Sequence, residues 1–129
     1  MMRFQLALNV EDIEAAKSFY AKVFGVPPSK ERPGYANFAL SEPPLKLVLI
    51  ENPGAGERIN HLGVETFDDA DVEKVKNRLQ KAELARRVED DVDCCYARQS
   101  KVWAREPDGI DWEWYRVTDE NGKSPPCND

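Results

Sequence analysis

The chain runs through one pattern twice. The segment "QLALNV", opening at Gln5, aligns directly with "HLGVET", opening after Asn60 at His61. Each is followed by a helical stripe and then by further strand-like runs. An internal repeat limits the fold more than any local propensity. Neither half is large enough to bury a sheet alone. Two halves side by side would close a curved sheet around a cavity, with the helices outside. The expected class is α+β, built from paired βαβββ modules forming a curved mixed sheet. With 129 residues there is length for one domain with a real core. The expected domain is 1–118, with modules of about 1–53 and 58–118 and a flexible tail over 119–129.

In the first half "RFQLALNV" alternates. Phe4, Leu6, Leu8 and Val10 fall on one face, as in a half-buried strand. In "EDIEAAKSFYAKVFG" a helical stripe joins Ile13, Ala16, Phe19, Tyr20, Val23 and Phe24, and Gly25 stands where a C-terminal cap belongs. "YANFAL" and "LKLVLIE" read as strands, and "NPGAGE" is a turn-rich linker. In the second half "DDADVEKVKNRLQKA" has acidic caps and a stripe of Val72, Val75, Leu79 and Ala82. "LARRVED", "CYARQSKVWARE" and "WEWYRV" read as strands.

A net charge of −6 gives no basic stripe to neutralise phosphates, which argues against a nucleic-acid partner. No apolar run approaches membrane-spanning length, and the start "MMRFQLALNV" moves straight into a strand-like pattern. These features predict a cytoplasmic protein with no membrane partner. Three cysteines in such a chain suggest reduced thiols rather than a disulfide framework.

Strand alternation turns Gln5 and His61 away from the helices and sets Glu113 opposite Trp112 and Trp114. All three would then face one concave surface. An imidazole, a carboxylate and an amide oxygen with open positions suit a divalent ion such as Fe(II), Mn(II), Co(II), Ni(II) or Zn(II). A lone histidine on a strand is more often a satisfied buried residue than a ligand. His61 is the only histidine, so no multi-histidine site exists within one subunit.

Cys94 and Cys95 are adjacent, and normal disulfide geometry disfavours a bond between neighbours. They read as two thiols or as a clamp for a soft ion such as As(III), Cd(II) or Hg(II). Alternation would send them to opposite faces unless they lie in a loop or bulge. The acidic "EDDVD" upstream is consistent with a loop. Two incidental small residues at a strand start remain the alternative. Cys127 is either a third thiol for the same ion or incidental.

"QLALNVEDIEAAKSFYAKVFG", "RPGYANFAL", "PPLKLVLIEN", "NHLGVE", "CCYARQSKVWAREPDG" and "WEWY" together resemble the glyoxalase/bleomycin-resistance/extradiol-dioxygenase superfamily, the vicinal oxygen chelate fold. The resemblance is closest to the branch of bacterial organoarsenical carbon–arsenic lyases and cadmium-induced proteins, and it runs from about Arg3 to about Val117. It implies a metal-binding cavity with Gln5, His61 and Glu113 as catalytic metal ligands, and Fe(II) as the cofactor. It implies O2-dependent cleavage of the carbon–arsenic bond of trivalent organoarsenicals, such as methylarsenite and reduced aromatic arsenicals, to arsenite. Cys94 and Cys95 would hold the arsenic, with Tyr96, Lys101 and Trp103 lining the pocket. Glyoxalase I has a fourth, carboxylate ligand where this chain has Val48, which speaks against glyoxalase activity. The competing function is a resistance protein that sequesters cadmium or arsenic through its vicinal thiols without turnover. A homodimer is common for the fold.

Overall fold

The computed structural model describes residues 1–125. They form two helices and eight strands in an α+β fold, in the order β1 Met2–Val10, α1 Ile13–Phe24, β2 Lys30–Arg32, β3 Tyr35–Ala39, β4 Leu45–Glu51, β5 Ile59–Thr66, α2 Asp69–Lys81, β6 Arg87–Cys94, β7 Ala97–Arg105 and β8 Asp111–Asp119. The chain divides into two compact units. One is Arg3–Leu62; the other runs from Gly63 onward and includes Met1–Met2.

In the first unit the strand order is β2-β3-β4-β1-β5. β1 lies parallel to β4, with Gln5 beside Lys46, and β3 runs antiparallel to β4. The two-residue period separates the faces. Leu8, Val10, Ala36, Phe38, Leu47 and Leu49 form the core with Ile13 of α1. On the other face Gln5, Ala7, Asn9, Tyr35, Asn37, Lys46 and Val48 are also buried. β1 is therefore covered on both faces, not half-buried as its alternation suggested.

The ends of α1 follow the sequence. Asp12 accepts hydrogen bonds from the backbone N–H groups of Glu14 and Ala15, and Gly25 closes the helix at φ 72°. The apolar stripe is narrower than expected, because Phe19 and Val23 are exposed while Ala16, Tyr20 and Phe24 pack on the core. β2 has no apolar alternation and was not legible in the sequence.

In the second unit the order is β5-β8-β7-β6, and the β6–β7 and β7–β8 pairs are antiparallel. α2 packs on β7 and β8 through Val72 and Val75, with Arg78 5.7 Å from the centre of the Trp114 ring. The opposite face carries Lys101 and Trp103 of β7 and Glu113 and Tyr115 of β8, all buried.

Two expectations for this unit are corrected. "EDDVD" is not a loop: it belongs to β6, with a bulge between Glu89 and Val92 and Asp91 at φ 53°. The segment after β8 is not loose up to Pro125. The Asp93 carboxylate accepts from the Lys123 and Ser124 backbone N–H groups. The carbonyls of Ser124 and Pro125 accept from Tyr96 and Cys95. Cys127 lies outside the described residues. Among the described residues, no helix is long and apolar enough to cross a membrane.

Candidate active site

Gln5 and His61 meet in the first unit, 3% and 7% exposed. Their Nε2 atoms lie 3.0 Å apart, while His61 Nδ1 lies 2.8 Å from Asn60 Oδ1. An amide oxygen only accepts, so Nδ1 carries the proton and Nε2 the lone pair. This pair fits a divalent metal. Two donors bound side by side at about 2.0–2.2 Å from one ion sit about 3 Å apart. Turning the Gln5 amide would put Oε1 beside the imidazole lone pair.

Glu113 and Lys101 form an ion pair in the second unit. Lys101 Nζ lies 2.9 Å from Glu113 Oε2, and the two side chains are 1% and 4% exposed. Burial works to lower the lysine pKa. The Glu113 carboxylate, with negative charge at the Cys95 sulfur and Glu89, raises it by more, so Lys101 is held above its ordinary value. Its Nζ also lies 3.9 Å from Cys94 Sγ, and 5.5 Å and 5.9 Å from the Trp103 and Tyr115 ring centres. Trp103 Nε1 donates to Glu89 Oε1, which also takes Arg87 Nε at 3.0 Å. Lys101 and Trp103 thus share this buried face.

Cys94 ends β6 and pairs with Ala97, the first residue of β7. Between them Cys95 and Tyr96 form a two-residue hairpin turn at φ 54° and 60°. Such turns favour Asn-Gly, because both central residues are left-handed. Side chains there cost on the order of 1–3 kcal/mol each. Cys95 and Tyr96 therefore do not open a strand, and the turn replaces the alternation that would have separated the sulfurs. The Cys94 and Cys95 sulfurs stand 3.8 Å apart. Cys94 is buried and Cys95 half-buried with its thiol kept. Gln99 Nε2 donates to the Cys94 carbonyl at 2.6 Å.

One expectation fails here. Cys94 is disulfide-bonded rather than a reduced thiol. A ligand taken by both sulfurs needs that bond reduced first.

Gln5 and His61 thus belong to one unit, and Glu113, Cys94 and Cys95 to the other. Among the described residues no three His, Cys, Asp or Glu side chains gather into a metal-binding group. The candidate set has only His61 and Glu113 of those types, and its third donor is an amide. Asn60, Asn9 and Gln99 were missed in the sequence. The available signal was position: Asn9 shares the alternation of Gln5, and Asn60 precedes the sole histidine.

A model of the Glyoxalase/Bleomycin resistance protein/Dioxygenase superfamily matches residues 4–114. The chain is 57% identical over 120 residues to a trivalent organoarsenical cleaving enzyme of Thermomonospora curvata, covering 91% of this chain and 78% of that protein. It is 49% identical over 132 residues to the cadmium-induced protein CadI of Mycobacterium tuberculosis, covering 100% of this chain and 87% of that one. Among solved structures, the fold is similar to the Mn(II)-bound glyoxalase of Novosphingobium aromaticivorans, with TM-score 0.65 and 22% identity over 100% of this chain and 43% of that one. It is also similar to homoprotocatechuate 2,3-dioxygenase of Brevibacterium fuscum (E323L mutant), with TM-score 0.67 and 21% identity over 88% and 32%.

Proposed function

Because the chain belongs to the Glyoxalase/Bleomycin resistance protein/Dioxygenase superfamily, we propose that it is an Fe(II)- and O2-dependent carbon–arsenic lyase acting on trivalent organoarsenicals. The observation that carries this is the hairpin turn holding the Cys94 and Cys95 sulfurs 3.8 Å apart. Once reduced, two thiolates on one side of a turn suit As(III), a soft centre whose third position keeps its organic group. The likeness to organoarsenical cleaving enzymes supports the same substrate class.

Gln5, His61 and Glu113 would hold the metal. Fe(II), when bound by such a set with open positions, supplies the electrons that activate O2. The residues of this chain supply placement. The two As–S bonds would fix the arsenical, and that proximity would contribute much of the rate. Lys101 holds the Glu113 carboxylate turned toward itself. Trp103 and Tyr115 cover the ammonium with aromatic surface.

A second function is favoured by a different likeness. A chain 49% identical to a cadmium-induced protein could hold a soft ion on the same thiols without turnover. One experiment separates the two. Reduced protein is incubated in air with methylarsenite, with and without Fe(II), and the arsenic species are identified. Release of arsenite that grows with time and needs Fe(II) is expected of the lyase. Bound methylarsenite with no arsenite would leave sequestration as the function.

A further inference from the structure

His61 ends a chain of amides whose direction is fixed at its far end. Asn9 is 8% exposed and bonded on every side. Its Nδ2 donates to the Glu57 carbonyl at 2.9 Å. A carbonyl only accepts, so Asn9 Oδ1 must be the acceptor at the other corner. There it takes Asn52 Nδ2 at 3.2 Å and Asn60 Nδ2 at 3.0 Å. With its nitrogen committed, Asn60 turns Oδ1 to His61 Nδ1 at 2.8 Å. Each link has one possible polarity, and the last sets the imidazole tautomer. The backbone supports the hub: Asn9 N–H donates to the Arg58 carbonyl at 2.7 Å, and Arg58 Nε donates to the Asn9 carbonyl at 3.1 Å. The whole chain lies within Arg3–Leu62.

We propose that Asn60 and Asn9 are positioning residues that hold His61 in the Nδ1–H tautomer, with its Nε2 lone pair presented beside Gln5 for a divalent metal. The inference rests on Gln5 and His61 being metal ligands. It adds that this chain's own amides, rather than a carboxylate, orient the imidazole. Outer partners of this kind typically alter metal affinity about 10–100-fold.

His61 is the sole histidine, so imidazole 15N NMR reads a single ring. Asn60 is exposed, which lets its substitution test the contact without emptying the core. At a pH above the ordinary imidazole range, the wild-type protein should show the proton on Nδ1. Asn60→Leu should lose that fixed tautomer and bind Co(II) about 10–100-fold more weakly. Asn60→Asp, which keeps an acceptor at Nδ1 but gives up the donor to Asn9 Oδ1, should restore the tautomer. A wild-type proton on Nε2, or a Leu variant matching wild type in spectrum and Co(II) affinity, overturns the positioning role. Nδ1–H without Co(II) binding in the wild type overturns the metal site and the role together.

Discussion

The two halves start from one strand–helix–strand plan and fill their buried polar faces differently. In Arg3–Leu62 the pair on the face opposite α1 is built from neutral side chains, with Lys46 the one charged residue buried on that face. Gln5 and His61 touch, and Asn9, Asn52 and Asn60 fix their polarity. In the second unit the face opposite α2 is charged. Lys101 and Glu113 form a buried ion pair beside the Cys94 sulfur, and Arg87 with Glu89 flanks Trp103. Repetition fixed the scaffold and left the chemistry to differ. A neutral network sets direction at low electrostatic cost. A buried charge pair supplies an anionic ligand but depends wholly on its partner.

The largest expected difference is functional. Glu113→Ala should lose metal and turnover but keep thiol-dependent arsenical binding, whereas Cys95→Ser should lose arsenical binding and keep metal. Parallel titrations with Co(II) and methylarsenite check this. Full activity in the Glu113 variant would mean the metal site is misplaced.

Next comes stability. Lys101→Met leaves the Glu113 carboxylate buried without its partner and should cost about 3–5 kcal/mol in urea unfolding. Adding Glu113→Gln should recover most of it. Because the Lys101 pKa is raised, the pair's contribution is fully present below the ordinary lysine value of 10.5. It is lost only as pH rises through the folded value. In the neutral half, Gln5→Leu should cost only about 1–3 kcal/mol, through the hydrogen bond lost at His61. Equal losses in the two halves would break the comparison.

The smallest effects concern the turn. A Cβ on Gly122 would meet the Ala97 backbone nitrogen at 2.6 Å. Gly122→Ala should therefore displace the segment that covers Cys95 and Tyr96, read as faster amide exchange at those two residues. Tyr96→Gly should relieve the left-handed strain and raise stability by about 1 kcal/mol.

Much of this was legible. Period-two alternation placed Gln5, His61 and Glu113 away from the helices, and Asp12 and Gly25 marked the ends of α1. The thiol turn was not, because Cys-Tyr carries none of the usual left-handed turn chemistry. Tertiary hydrogen bonds from Ser124 and Pro125 help hold it there. The amide chain joins Asn9, Asn52 and Asn60 across long stretches of sequence, and no local pattern announces such a network. Phe19 and Val23 fit the helical period yet are exposed, since periodicity gives a direction and not the width of the surface covered.

The most direct measurement orders the additions. Reduced, Fe(II)-loaded protein is first given methylarsenite without oxygen, then air, and arsenite is followed with time. The proposed lyase predicts bound, uncleaved methylarsenite until air enters, then arsenite release that Glu113→Ala and Cys95→Ser both lack. Arsenite appearing before air, or none appearing after it, would contradict an iron- and oxygen-dependent cleavage anchored on these thiols.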